Sequence, residues 1–230
     1  MRHSVRKYLL LAAVLLIPLS GWAQKRIYTR SFQIQDFKSK TTKVVLGGSR
    51  TFNASLRQEV TTFWTASPYE FCTPDEYESQ KSSPDCYFLR PEISKGIIFL
   101  TLSRGGQKDA TDAHKLPVTV VSLPVAGKDD DSELELACMP IFISILQDYV
   151  DAAINSEYVA YTGLRSICKR MPKDITVYTE PEEAREAIIS QYTDSAVQIL
   201  ITPDGNPKSK PRYRLLVDTS SYALYSYGKN

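Results

Sequence analysis

The feature that most constrains the fold is the segment after Pro140, which reads I-F-I-S-I-L-Q-D-Y-V-D-A-A-I. Drawn as a helix, it has apolar residues nearly all round its first three turns. A helix without a polar face has to be buried on most sides. We therefore expect Pro140 to open a central helix around which the rest of the chain packs, with a weaker continuation past Asn155 towards Gly163.

Short strand and helix patterns precede this segment. The β-branched run 42–46 predicts a strand, and apolar residues at helical spacing predict a helix over 51–63. Thr73-Pro74-Asp75-Glu76 is a capping box with proline at the first helical position, and it predicts a short helix to about Gln80. Further extended segments are predicted at 64–71, 86–89, 96–102 and 118–123.

A second set of patterns follows the central segment. We expect a strand at 175–178, a helix at 181–190, a strand at 197–201, and a closing hairpin of 213–217 with 222–227. Both halves then hold a strand-helix-strand unit. The order predicts an α/β or α+β fold with a mixed sheet and a long buried central helix. We expect one domain over 24–230, with a subdivision near 165–174 as the alternative.

Residues 1–23 have the build of a secretory signal peptide: a basic start, an apolar run over 8–19, and small residues before a cut after Ala23. A permanent anchor helix needs about 20 apolar residues, which is more than this run supplies. We expect cleavage after Ala23 and an exported mature chain, periplasmic or extracellular, without a transmembrane segment. The basic residues of the leader are Arg2, Arg6 and Lys7.

The charge balance of the mature chain argues against nucleic acid as a partner. The leader carries three of the 28 basic residues and none of the 26 acidic ones, so removing it leaves a nearly neutral chain. A nearly neutral chain gives no electrostatic reason to bind nucleic acid or an acidic membrane.

Four cysteines lie in the mature part, where export favours oxidation. Four cysteines allow three pairings. Cys72 and Cys86 bracket the short capped helix, and we predict a disulfide between them. The alternative is buried free thiols, which Cys138 fits best because it adjoins the apolar helix. The cysteine spacings match no zinc pattern.

No motif fixes a chemistry, and we predict no cofactor, no metal and no catalytic residue. His114 is the only histidine of the mature chain, and nothing in the sequence places a nucleophile beside it. Gly47-Gly48 follows a strand and precedes a helix, but it lacks a phosphate-binding motif and predicts a tight turn. The run 129–131 lacks the alternating ligands of a calcium loop and predicts a solvated turn.

Tyrosines crowd the predicted C-terminal hairpin. Tyr213, Tyr222, Tyr225 and Tyr227 are candidates for a binding surface for sugar or peptide. In a regular strand the side chains of Tyr225 and Tyr227 share a face. The alternative is ordinary cross-strand aromatic packing. A last strand at a sheet edge is also a place where a partner strand can add.

Several segments carry a family resemblance: W-T-A-S-P-Y-E-F-C-T-P-D-E-Y at 64–77, Y-F-L at 87–89, F-L-T-L-S-R-G-G at 99–106 and P-I-F-I-S-I-L-Q-D-Y at 140–149. Together they resemble a group of exported, uncharacterised proteins of Bacteroidetes. The resemblance implies export into a Gram-negative envelope, without an assigned activity. D-S-A at 194–196 also matches the short pattern on which such bacteria O-glycosylate exported proteins, which makes Ser195 a candidate site.

The order of elements in the first half is similar to the N-terminal fold of envelope proteins such as TolB and the CsgG-type lipoproteins, which is a likeness of fold and not of function. Our leading hypothesis is an exported, non-catalytic protein that binds an envelope protein or glycan through the tyrosine hairpin or the loops at 104–115 and 204–211. One alternative is a carboxylate-dependent hydrolase acting on glycan or peptidoglycan, whose two acids a cleft would reveal. The other is a structural envelope subunit, for which a large apolar patch or an open sheet edge is expected.

Overall fold

The computed structural model describes residues 34–106 and 117–230. The predicted leader and His114 lie outside the described residues. These residues form two mixed β-sheets and five α-helices, and a long helix packs in the core beside the sheets. The predicted fold class is therefore confirmed, with two mixed sheets rather than one.

The first sheet is built around the first predicted strand. Its order is β2-β1-β3-β4-β5; β1 pairs in parallel with β2 and β3, and the other two pairings are antiparallel. The prediction found each strand but placed the ends of the last three too early. The strands are β1 (Thr41–Val45), β2 (Tyr69–Cys72), β3 (Cys86–Ser94), β4 (Ile97–Arg104) and β5 (Val118–Gly127).

Two helices connect the parallel strands of this sheet. Helix α1 (Arg50–Phe63) starts at Ser49, whose hydroxyl accepts a hydrogen bond from the Phe52 amide. Helix α2 (Pro74–Gln80) carries the predicted capping box: the Glu76 amide donates to the Thr73 hydroxyl, and the Thr73 amide donates to the Glu76 carboxylate. The sequence signal for α2 is entirely local, which explains why both of its ends were predicted correctly.

The second sheet has the order β6-β7-β8-β9, in which β6 pairs in parallel with β7 and the rest is antiparallel. Helix α5 (Pro181–Ile189) connects β6 to β7, as the strand-helix-strand pattern predicts. The last strand lies at a sheet edge. The strands are β6 (Thr176–Tyr178), β7 (Ser195–Ile201), β8 (Tyr213–Asp218) and β9 (Leu224–Lys229).

The central helix is α3 (Leu134–Asn155), and Pro140 lies inside it. The prediction that Pro140 opens the helix is wrong, because the preceding L-E-L-A-C-M consists mostly of good helix formers that begin the helix earlier. The helix ends at Asn155, and Ser156 then caps a separate short helix, α4 (Glu157–Thr162). A 3₁₀ turn (Gly163–Ile167) follows directly.

Helix α3 contributes ten buried residues to a core that continues into both sheets. Val44 and Leu102 of the first sheet and Val197 and Leu215 of the second all belong to this one apolar cluster. Within the described part of the chain, α3 is also the one helix whose length and composition would allow it to cross a membrane, and more than half of that stretch is buried inside the protein.

The predicted disulfide between Cys72 and Cys86 is absent, and all four cysteines are free thiols. Cys72 lies on β2 and Cys86 on β3, and β1 lies between these strands. Two strand spacings separate Cα atoms by roughly 9.5 Å, whereas a disulfide requires less than about 7 Å. Cys72 and Cys86 flank the same short helix in the sequence, but they are not adjacent in the fold because β1 lies between their strands.

Candidate functional site

Two of the four candidate tyrosines are buried rather than displayed. Tyr213 is 5% exposed and packs edge-on against Phe99 of the first sheet, with ring centroids 5.6 Å apart. Tyr222 is 9% exposed and packs edge-on against Phe63 at 6.3 Å. Both rings therefore fill the region between the second sheet and the elements of the first half.

The other two tyrosines have different surroundings. The Tyr225 hydroxyl donates to the Asp218 carboxylate at 2.7 Å. Tyr227 pairs with the buried Leu215 and packs against the core. A β-bulge shifts the register opposite Leu216 and Val217, so the simple alternation that would place both tyrosines on one face is broken. The four tyrosines are not brought together into one platform.

The candidate loops and the candidate glycosylation site are placed as follows. Most of the loop at 104–115 lies outside the described residues. Ser195 is 4% exposed at the start of β7, and its hydroxyl donates to the Thr193 carbonyl. The folded chain therefore does not present Ser195 for glycosylation.

The described part of the chain forms a cleft of two adjoining lobes that share two lining residues, which we call the seam cleft. The larger lobe has a volume of about 660 Å³ and the smaller about 220 Å³. Asp130 and Glu135 line both lobes, so these two acids stand where the lobes meet. Volumes in this range are typical of sites for small ligands.

The larger lobe lies beyond the carboxyl ends of the parallel strands β1 and β3. The turn at 47–49 after β1 and residues 90–93 at the end of β3 line it. In sheets with parallel strands, ligands commonly bind outside the carboxyl ends of the strands. The smaller lobe lies between the end of β5 and residues 198–201 of β7, which places it at the seam of the two sheets.

A close backbone approach holds this seam. Gly127 ends β5, and a Cβ atom at that position would lie 2.1 Å from the Thr202 carbonyl oxygen beyond β7. The next connection is a hydrogen bond from the Asp129 amide to the Pro203 carbonyl at 2.9 Å. Only glycine fits at position 127, because any side chain would push the two strand ends apart.

The lining of the seam cleft combines an apolar wall with charged groups. The apolar wall of the larger lobe is formed mainly by Phe52, Ile93 and Ile98. The two lobes together present two basic and four acidic side chains, so a cationic group is favoured over an anionic one. The charged residues are Arg90, Lys128, Glu92, Asp130, Glu135 and Glu180.

Neighbouring groups fix the position of Arg90 and change the pKa of Glu135. Arg90 forms an ion pair with Glu92, and its guanidinium lies 4.8 Å from the centre of the Tyr77 ring. Burial raises the pKa of the half-buried Glu135, and the nearby Asp130 raises it further, against a lowering hydrogen bond from its own backbone. Glu135 therefore accepts a proton more readily than an exposed glutamate.

The turn at Gly47-Gly48 is tied down by its own helix. The Gly48 amide donates to the Asn53 side-chain oxygen at 2.9 Å, and the Asn53 side-chain nitrogen donates back to the Gly48 carbonyl at 3.0 Å. Two amide groups at the start of α1 thus already have acceptors, Asn53 for Gly48 and Ser49 for Phe52. This arrangement agrees with a tight turn rather than a phosphate cradle.

The seam cleft was missed from the sequence because its residues come from six separate segments. The sequence carried two local signals, the acidic run 129–131 and Gly47-Gly48, and both were interpreted as simple turns. The Asp130 carboxylate accepts a hydrogen bond from the Ser132 amide at 3.0 Å, which fixes that turn at the mouth of the cleft. Within 34–106 and 117–230, no group of three or more His, Cys, Asp or Glu side chains is arranged to hold a metal ion.

Comparison with known proteins found no matching family model, no matching curated protein and no matching solved structure. The function therefore has to be argued from the residues and geometry of this chain.

Proposed function

We propose that the chain is an exported, non-catalytic binding protein of the cell envelope, and that its seam cleft holds a cationic group of a protein or glycan partner. The leader pattern of residues 1–23 supports export. The observation that carries the binding proposal is the 660 Å³ lobe, which combines an apolar wall with an excess of acidic groups. Concave sites of this size with a few placed charges are typical of ligand binding.

The hydroxyl groups in the cleft favour binding over nucleophilic catalysis. The Ser49 hydroxyl accepts a hydrogen bond from the Phe52 amide, and the Ser132 hydroxyl accepts one from the Leu134 amide. Both serines thus serve the starts of helices. No histidine or cysteine lines either lobe, so the carboxylates of Asp130 and Glu135 are the side chains of the lining that could act as a general base.

Two exposed isoleucines allow a matched test. Ile93 lines the larger lobe and is 61% exposed, whereas Ile189 at the end of α5 is 66% exposed and lines neither lobe. Replacing either with serine removes little buried surface, so both variants should fold normally. We expect Ile93→Ser to reduce capture of a specific partner from solubilised envelope of the producing cells, identified by mass spectrometry, and Ile189→Ser to leave it unchanged.

Equal capture by the two variants would contradict the cleft as the binding site. The circular dichroism spectrum and the thermal midpoint of both variants should match those of the parent chain. This control separates a loss of contact from a loss of structure.

A second candidate function is a carboxylate-dependent hydrolase. Asp130 and Glu135 line the junction of the two lobes, and burial raises the pKa of Glu135, as a proton donor requires. If the chain hydrolyses glycan or peptidoglycan, Glu135→Gln should abolish the release of reducing ends. The same substitution should leave partner capture measurable if the cleft only binds. Absence of any release by the parent chain would reject the hydrolase.

A further inference from the structure

A second concave site lies on another part of the molecule, and it shares no lining residue with the seam cleft. It is a groove of about 290 Å³ between the first half of β5, the start of the 3₁₀ turn after α4, and Tyr227 of β9. We call it the neutral groove. Thr119 and Ser122 line one side, and Thr162 and Gly163 the other.

Among the described residues, none that lines the neutral groove carries a charge, although 23% of the chain is charged. Hydroxyl groups supply much of its polarity, with threonine, serine and tyrosine all represented. A ligand that carries a charge would lose hydration in such a groove without gaining a counter-charge. A neutral ligand with many hydroxyl groups finds donors and acceptors there and loses little.

An exposed aromatic surface continues from the groove along α4. Tyr158, Tyr161 and Thr162 are spaced i, i+3 and i+4, so they share one face of the helix. Thr162 lines the groove, and the two tyrosines are 69% and 52% exposed. They are the two most exposed aromatic residues in the described part of the chain. The negative face of an aromatic ring attracts the C–H groups of a flat apolar surface.

The edge of β5 beside the groove is poorly suited to an extended peptide. Pairing of β4 with β5 shifts register twice, and Pro124 lies within β5. Bulges and proline are devices that block strand addition. Strand addition would also leave Tyr158 and Tyr161 without a role.

We propose that the neutral groove and its adjoining tyrosines bind a neutral oligosaccharide. The apolar faces of sugar rings stack on Tyr158 and Tyr161, and sugar hydroxyl groups hydrogen-bond with Thr162 and Thr119. A sugar has apolar ring faces and polar hydroxyl groups at its edges. The exposed tyrosine rings suit the first, and the uncharged, hydroxyl-bearing lining of the groove suits the second. This site is independent of the seam cleft, so either proposal can fail while the other stands.

The test uses three neutral probes: chitohexaose, cellohexaose and maltohexaose. Binding to the full chain is measured by isothermal titration calorimetry and by chemical-shift changes of the backbone amides at 158–164. We expect at least one probe to bind and to shift these amides. The Tyr158→Ala/Tyr161→Ala double variant should weaken that binding by about tenfold or more, which corresponds to about 1.4 kcal/mol.

Two comparison variants make the result specific. Tyr158→Phe/Tyr161→Phe keeps the rings and should retain most of the affinity, while Met171→Ala, another exposed apolar position, should change nothing. No binding of any of the three probes, or equal binding by the double alanine variant, would overturn the proposal. Binding that shifts the amides at 90–93 instead would also overturn it, since those residues line the seam cleft.

Discussion

At the scale of single residues, a polar cluster around Asp218 fixes the turn between β8 and β9. One oxygen of the Asp218 carboxylate accepts hydrogen bonds from the amides and hydroxyls of Ser220 and Ser221. Its other oxygen accepts from the Tyr225 hydroxyl. Burial alone would raise the pKa of Asp218, but these hydrogen bonds outweigh it and lower the pKa from 3.8 to about 2. Burial and the contact with Asp218 raise the pKa of Tyr225 to about 12.

The lowered pKa of Asp218 predicts a loss of stability in acid. Because the folded state favours the charged carboxylate, its contribution is fully present above about pH 4 and is lost as the pH falls towards 2. We expect the contribution to be on the order of 1–2 kcal/mol. In urea titrations, the difference in unfolding free energy between the parent chain and Asp218→Asn should shrink between about pH 4 and pH 2. A difference for Asp218→Asn that stays constant over this pH range would contradict the account.

What could be predicted at this scale depends on how far apart the partners lie in the sequence. The Thr73–Glu76 capping box spans four residues and was predicted in full. The tyrosine hairpin was predicted as strands, but the bulge near Val217 and the contacts with Phe63 and Phe99 depend on tertiary packing. No pattern within the hairpin specifies those partners.

At the scale of elements, the four sheet edges are each blunted. Strand β2 has four residues and follows Pro68, and β6 has three residues. Strand β5 contains bulges and Pro124, and β9 contains a bulge. Short, bulged or proline-bearing edges resist pairing with another chain. These edges weigh against the hypothesis of a structural subunit that assembles by strand addition.

Sheet order also determines the state of the cysteines. β1 separates Cys72 from Cys86, and all four cysteines are free thiols, so we expect all four to react with an alkylating reagent in denatured, non-reduced protein. In the native state Cys138 should react slowest, since it is fully buried and burial raises the pKa of its thiol. Protection of both Cys72 and Cys86 in the denatured sample, measured by mass spectrometry, would show a disulfide that this sheet order forbids.

The boundaries of elements were predictable where both ends carry local signals. Helix α1 was predicted to within one residue because a glycine turn and an apolar spacing frame it. Helix α3 was placed six residues late because its proline resembles a start signal. The order of strands within each sheet has no local signal in the sequence. The disulfide between Cys72 and Cys86 was therefore predicted without knowing that β1 separates their strands.

At the scale of the whole molecule, one apolar core joins both sheets, and the seam cleft opens where their strand ends meet. The chain passes from β5 into α3 through the acidic turn that lines the cleft. The shape of the cleft therefore depends on how the end of β5 sits against the end of β7. The segment between β5 and α3 thus connects the lining of the cleft to the central helix of the core.

The close approach at Gly127 predicts a large effect from one methyl group. Gly127→Ala would bring its Cβ atom against the Thr202 carbonyl oxygen, and we expect a loss of about 2 kcal/mol or more in unfolding free energy. Gly228→Ala is the matched control, because a Cβ atom there meets nothing within 4 Å, and it should change stability by less than about 0.5 kcal/mol. Equal effects in chemical denaturation would show that the seam is looser than described.

We propose that the chain is exported and that its partner occupies the seam cleft. The most direct measurement places a photo-crosslinking amino acid at Ile93 in one variant and at Ile189 in another, expresses each in the native cells, and irradiates intact envelope. We predict one specific adduct from position 93 and none of that mass from position 189. The same adduct from both positions, or none from position 93, would contradict the claim.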